Sequence, residues 1–429
     1  MSKPFFFISS DPFRAVGLAL FTSDFVLICE KHSYVVDWLS RRGIKALVLK
    51  SNYNNSGKIL AEAKVGKFIS DYSGGITPEI LVFKPSAKID LLARNKGYKL
   101  LANSAVLNKK FEDKTSFYKL CLDNNLEVPK GFVARFGEVD FERAKSKLGL
   151  PLVIQFGRGW AGGTTFFIAN AKDYLSLQKK FHKTKVKFSQ KVEGITVLNN
   201  ACITSDDQVL VSQPAIQLSG ALFGQSEAVT FGRQWGGNLI PDEQEARIAT
   251  ITKKVGHIMA QSGYKGWFGL DFILSTDGEV VLSENNARLT ASFSFYTQLE
   301  VLNGSDVTLL ASHIAAFAQR IAGSWHVPKV VGSQISLRTG SRGEKVVKKS
   351  LQAGIYGRDL KYRRDGVGLV DLTDQSEVFI NFPDYGTLLP QNSQLVTIET
   401  RNQVLKNEHN VYPWLAKVAK YTESNILYE

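Results

Sequence analysis

The sequence predicts a mixed α/β and α+β fold in four parts, and three observations lead to this prediction. Short apolar runs alternate with amphipathic segments over residues 1–105, which is typical of a parallel sheet with helices on its faces. A glycine-rich segment stands between two strand-like runs in residues 106–190. A hairpin pattern with acidic residues falls within 191–325. Residues 326–429 are rich in predicted strands and turns.

Composition excludes several classes of protein. The chain has 429 residues, of which 44% are hydrophobic and 22% charged, as in ordinary globular proteins. Its cysteines, Cys29, Cys121 and Cys202, are far apart, so we expect neither a disulfide scaffold nor a cysteine-built zinc site. Asp11 and Arg14 interrupt the apolar start, which argues against a signal peptide. We expect a cytoplasmic protein with no membrane partner, and the net charge of +13 favours anionic partners.

The N-terminal part shows the alternation most clearly. No glycine fingerprint follows its first predicted strand, so we assign no dinucleotide to it. Strands are predicted at 24–30, 44–50, 78–85 and 98–103, with a helix at 32–43.

The later elements follow from hydrophobic spacing. Strands at 150–156 and 164–169 flank the glycine-rich segment. Helices are predicted at 114–126, 171–183, 246–263 and 413–424.

The glycine-rich segment GRGWAGG (157–163) contains G-x-G-x-x-G. A strand follows it, so the pattern indicates the tip of a hairpin and not the strand-to-helix turn of a dinucleotide site. Backbone N–H groups at such a tip can cover phosphates, as in protein kinases. A plain flexible turn is the alternative, and the absence of an HRD-type catalytic loop excludes a kinase. The loop glycines are Gly157, Gly159, Gly162 and Gly163.

The hairpin pattern at 267–288 is the strongest chemical signal. A two-residue Asp-Gly turn at 277–278 would place Asp271 directly opposite Glu284, with Cβ atoms ~4.5–5.5 Å apart. Asn286 would point to the same face. Because facing carboxylates repel, we expect a divalent cation such as Mg²⁺ to bind there.

Two alternatives to this metal site remain open. The acids could splay apart at a solvated edge, or a longer turn could move Asp271 opposite Leu282. Arg288 adds a cation on the same face as Glu284, which is typical of a site that stabilises an anion.

These motifs together resemble the ATP-grasp superfamily over roughly residues 1–325. The resemblance implies a Rossmann-like pre-ATP-grasp domain (1–105), a small lobe with the glycine loop (106–190) and a large lobe with the metal site (191–325). A strand-rich C-terminal domain of unknown role (326–429) would follow. The E-x-N-x-R pattern at 284–288 is the most specific element of the match.

The resemblance also implies roles for individual residues. Lys114 would reach the ATP phosphates, and the glycine loop would cover them. Gln155 stands where many members carry a second phosphate-binding lysine. The adenine pocket would involve Gln190, Lys191, Val192 and Glu193, and the magnesium ligands would be Asp271, Glu284 and Asn286.

The implied activity is that of an ADP-forming ligase that joins a carboxylate to an amine through an acylphosphate. The implied cofactors are ATP and Mg²⁺, with Mn²⁺ as an alternative ion. An amino acid or peptide is the leading candidate for the small-molecule substrate. Arg288 would stabilise the acylphosphate, and Arg233, expected on a glycine-containing loop, would bind the carboxylate.

Other interpretations of the chain stay open. An acyl-CoA-forming or biotin-carboxylase-like ligase is one alternative. A regulatory ATP-binding or nucleic-acid-associated protein is another, favoured by the lysines between 179 and 191, although such runs are usually solvated. A homodimer is the default assembly.

Overall fold

The computed structural model describes residues 4–157, 165–227, 229–318, 325–339 and 343–428. The first part of the chain alternates strands and helices, as predicted. Its elements are β1 (Phe5–Ile8), α1 (Ala15–Ala19), β2 (Phe25–Cys29), α2 (Tyr34–Arg41), β3 (Lys45–Val48), α3 (Ser56–Ala61), α4 (Ala63–Ser73), β4 (Glu79–Val82), α5 (Ala87–Lys96) and β5 (Lys99–Leu100).

These strands form a parallel sheet in the order β3-β2-β1-β4-β5. The central strand is β1, to which the sequence analysis assigned no element. All its residues are buried, as expected for a parallel sheet covered by helices on both faces. The Rossmann-like architecture predicted for this part is confirmed.

The next part is an antiparallel sheet with helices. Its elements are α6 (Ala105–Glu112), α7 (Lys114–Asp123), β6 (Gly131–Arg135), α8 (Phe141–Leu148), β7 (Leu152–Phe156), β8 (Thr165–Ile168), α9 (Ala171–Phe181) and β9 (Lys185–Gln190). The strands lie in the order β6-β9-β7-β8. Side chains of β7 and β9 such as Ile154 and Phe188 share one core with α8 and α9.

A large sheet dominates the remainder. Its first section comprises β10 (Gly194–Ile203), β11 (Val209–Val211), β12 (Ala215–Ser219), β13 (Thr230–Trp235), α10 (Asp242–Ala260), β14 (Gly266–Ser275), β15 (Val280–Asn286), α11 (Phe293–Leu302) and α12 (Leu309–Ala318). The C-terminal section comprises β16 (Gly332–Arg338), β17 (Lys345–Lys349), β18 (Gly354–Gly357), β19 (Tyr362–Arg364), β20 (Glu377–Asn381), β21 (Leu388–Leu389), β22 (Gln394–Thr400), β23 (Leu405–Asn407), β24 (Asn410–Val411), α13 (Pro413–Ser424) and β25 (Leu427–Tyr428).

Five C-terminal strands continue the sheet that carries the acidic hairpin, whereas β21-β17-β25 and β23-β24 form two small sheets of their own. The order is β15-β14-β10-β12-β13-β16-β22-β20-β18-β19, with β11 on β10. The step from β13 to β16 joins the two sections. The acidic strand β15 therefore lies at one edge of this sheet, where α7 packs against it.

The helix α10 confirms the helix predicted from hydrophobic spacing at 246–263. Its predicted apolar stripe comprises Ile248, Ile251, Val255, Ile258 and Met259; all are buried except the half-buried Ile258, and His257 is exposed. In the described part of the chain, we find no helix with the length and apolar character needed to cross a membrane.

Candidate active site

The acidic hairpin places Asp271 opposite Glu284, and this predicted pairing is confirmed. The predicted two-residue turn is wrong, because the loop has three residues (276–278) and Gly278 adopts φ +92°, as is common in such hairpins. That loop shifts the pairing by one residue. A β-bulge at Ser283 shifts it back before the acids meet.

The two carboxyl groups differ in their electrostatic surroundings. Asp271 is 8% exposed, and burial together with the nearby Glu284 raises the pKa of Asp271. Burial would also raise the pKa of Glu284, but Lys114 Nζ lies 2.7 Å from Glu284 Oε2 and holds that pKa below its usual value. A proton therefore binds first at Asp271, and a cation that binds here would displace it.

A chain of hydrogen bonds fixes the E-x-N-x-R residues. Asn286 Nδ2 donates to Asp271 Oδ2 over 3.0 Å, and Arg288 Nη2 donates to Asn286 Oδ1 over 3.0 Å. Arg288 Nε donates to Glu112 Oε1 over 3.2 Å. Buried Asp271 Oδ1 receives no hydrogen bond from a donor in the described residues.

The donor set fits a hard cation. Two carboxylates and one amide offer oxygen ligands, and Mg²⁺ usually takes one or two carboxylates and leaves other positions to water and phosphate. No group of three or more His, Cys, Asp and Glu suited to a metal occurs among the residues with described positions. Two carboxylates and one amide would leave coordination positions of a magnesium ion open to a phosphate ligand.

Lys114 is fixed by the start of α7. Asp113 caps this helix, since its Oδ1 accepts from two first-turn amides at 3.0 Å. The backbone N–H of Lys114 donates to Gly157 O over 2.9 Å. A Cβ on Gly157 would come within 2.4 Å of Asp113 Oδ2, so this close approach requires glycine. The other predicted loop glycines, Gly159, Gly162 and Gly163, lie outside the described residues.

Gln155 on β7 pairs directly with Lys187 on β9. Gln155 Nε2 donates to Thr165 Oγ1 over 3.3 Å. The sequence analysis grouped Lys187 with solvated lysines, and this was wrong, because Lys187 is 2% exposed. The signal was present in the alternation of β9, where Val186 and Phe188 face the core and place Lys187 on the other face.

The segment expected to bind adenine connects β9 to β10. Gln190 ends β9, and Val192 lies in the connection itself. Lys191 Nζ forms ion pairs with Glu193 Oε1 at 3.0 Å and Glu227 Oε1 at 3.1 Å. The connection therefore joins the small sheet to the large one, and its adenine-binding role remains a prediction.

Arg233 and Arg288 lie near the acids, and Arg14 lies beside Arg288. Arg233 lies on β13, and the predicted loop position was wrong. Burial lowers the pKa of Arg233 against the opposing effect of Asp271, and its Nε has no hydrogen-bond partner among the described residues. The guanidinium carbons of Arg14 and Arg288 lie 3.8 and 5.5 Å from the ring centroid of Phe83.

Sequence reasoning missed Arg14 because β1 was missed. Arg14 follows the carboxyl end of this central parallel strand, and that edge is where open α/β sheets place ligands. Recognition of β1 as a strand would have identified Arg14 as a candidate site residue.

Comparison with solved structures identifies the class of fold to which the chain belongs. The chain resembles the biotin carboxylase domain of Hydrogenobacter thermophilus 2-oxoglutarate carboxylase at 11% identity and TM-score 0.66, covering 100% of this chain and 90% of that one. It resembles Campylobacter jejuni biotin carboxylase at 13% identity and TM-score 0.66, with 100% and 92% coverage. It resembles Thermotoga maritima N5-carboxyaminoimidazole ribonucleotide synthetase at 14% identity and TM-score 0.59, with 100% and 99% coverage.

The chain therefore has the ATP-grasp fold, as the sequence motifs predicted. No protein-family model matches the chain, and no curated protein matches it. At identities this low, the similarity establishes the fold alone, and the function has to be argued from the site.

Proposed function

We propose that this protein is an ATP-dependent ligase that activates a carboxylate as an acylphosphate and joins it to an amine. The observation that carries the proposal is that buried Asp271 faces the partly buried Glu284, with Lys114 Nζ 2.7 Å from Glu284 Oε2. The neighbours support ATP and magnesium as cofactors, since the Hydrogenobacter domain is described in complex with MgADP.

Different residues of the site would have different roles in phosphoryl transfer. Magnesium held by Asp271, Glu284 and Asn286 would neutralise charge on the phosphates. Lys114 would orient the phosphates from the first turn of α7, where its backbone N–H is bonded to Gly157 O. Such positioning is most of what this reaction requires of a protein.

The arginines supply the site for the acid. A guanidinium binds a carboxylate through two parallel hydrogen bonds, and Arg233 Nε has no described partner. Arg288, oriented by Glu112, stabilises charge that develops on the acylphosphate and on the intermediate formed by the amine. Arg14 adds a third cation from the parallel sheet. An amino acid or a peptide is the acid that the sequence analysis favoured.

Bicarbonate is a second candidate for the acid. The full-length similarity to biotin carboxylases favours it, and the Hydrogenobacter structure is described with bicarbonate bound. The same structure is described as a dimer, which supports a homodimer here. Dependence of ADP formation on added bicarbonate, against dependence on one amino acid, decides between the two acids.

A variant pair tests the metal and phosphate assignment. Glu284→Gln should abolish ATP turnover, because it removes a ligand charge and the partner of Lys114. Glu279→Gln is the matched control, since Glu279 is exposed on the same hairpin and should retain turnover. Normal magnesium-dependent turnover by Glu284→Gln would overturn the assignment.

A further inference from the structure

Lys187 is a buried cation that lacks a hydrogen-bond or ion-pair partner among the described residues. Its Nζ lies 5.0 Å from the ring centroid of Tyr118. A buried ammonium is unfavourable unless it is paired, and burial lowers the pKa of Lys187 to about 8. The protein surrounds this ammonium without neutralising it.

The acid that attracts Lys187 does not neutralise it. Glu284 attracts Lys187, but Glu284 Oε2 is already 2.7 Å from Lys114 Nζ. Two lysines therefore lie near this one carboxylate. This side of the cleft has an excess of positive charge that an anion would balance.

The strand register places Lys187 beside the glycine segment. Lys187 pairs with Gln155, so the two side chains share a face with Cβ atoms ~4.5–5.5 Å apart. Gln155 is two residues before Gly157, whose carbonyl accepts the hydrogen bond from Lys114. The ammonium of Lys187 thus lies on the face of the small sheet that meets α7 and the acids of β15.

We propose that Lys187 binds the phosphates of ATP and supplies from β9 a positive charge that the neutral Gln155 does not supply from β7. The proposal rests on the proposed function only in taking ATP as the anionic ligand. The alternative is a structural lysine that stabilises the ligand-free fold through Tyr118 and Glu284.

These two roles predict different behaviour of Lys187→Gln. A phosphate-binding role predicts weaker binding of ATP and ADP, unchanged binding of adenosine, and no loss of thermal stability without nucleotide. A structural role predicts a lower thermal midpoint and equal effects on all three ligands. Lys185→Gln is the matched control, because Lys185 is exposed on the same strand.

The experiment is calorimetric titration of the full chain with Mg-ATP, Mg-ADP and adenosine. We expect Lys187→Gln to weaken ATP binding at least about tenfold, the size of effect typical for a hydrogen bond to a charged group. The double variant Gln155→Lys/Lys187→Gln should recover most of the lost ATP affinity, because the positive charge returns to the same face of the sheet.

Each other outcome overturns the proposal. Unchanged ATP affinity in Lys187→Gln, failure of that variant to fold, or equal losses for adenosine would each contradict it. If the wild-type chain binds no ATP, both the proposed role of Lys187 and the proposed ligase activity are contradicted. If ATP binds through Lys187 but no acid supports turnover, the ligase assignment alone fails.

Discussion

Substitution of Asp271 by asparagine should stabilise the ligand-free protein while abolishing magnesium-dependent activity. Asp271 is 8% exposed and faces Glu284, and burial with this neighbour raises its pKa to about 7 from an ordinary 3.8. Because the folded pKa is raised, the ionised group destabilises the fold increasingly as pH rises from about 4 to 7. The difference corresponds to about 4 kcal/mol at pH 8.

Asparagine removes this cost and can still accept the hydrogen bond from Asn286. Urea unfolding at pH 8 should therefore show a gain of about 2–4 kcal/mol for Asp271→Asn, and the gain should vanish near pH 4. Asp24→Asn, on an exposed loop before β2, should show little change at either pH. A loss of stability at pH 8, or a gain that does not depend on pH, would refute the electrostatic reasoning.

Three further predictions concern the same site. Gly157→Ala should displace the Asp113 cap and lower the free energy of unfolding by about 1–2 kcal/mol, and unchanged urea unfolding would contradict this steric account. Lys114→Met should weaken Mg-ATP binding at least about tenfold, measured by calorimetry, and full affinity would exclude its phosphate role. The thermal shift produced by Mg-ADP should be larger at pH 8 than at pH 6, because magnesium displaces a proton from the acid pair. Equal shifts would contradict this.

The acidic hairpin shows how far local pattern predicts a site. The facing of Asp271 and Glu284 follows from alternation in two strands joined by a short loop, which is local information. The loop itself is one residue longer than predicted, and the bulge at Ser283 compensates for it. The alternation of core-facing side chains determines which residues pair across the hairpin, and the turn accommodates that pairing.

The missed residues depend on contacts between distant segments. Lys187 is buried because α7 lies over β9 and brings Tyr118 against it. The alternation of residues in a strand does not predict that a helix from another segment packs over it. Arg14 and Arg288 meet at Phe83 although the three residues come from distant segments of the chain. The joining of β13 to β16 is likewise non-local, so the C-terminal strands could be predicted but their sheet could not.

The identity of the nucleotide product tests the central claim most directly. The full chain would be incubated with Mg-ATP, hydroxylamine and either bicarbonate or pooled amino acids, and the nucleotides separated. We expect ADP and phosphate, with formation that depends on one acid and is lost in Glu284→Gln. AMP and pyrophosphate would contradict acylphosphate chemistry and show adenylation instead.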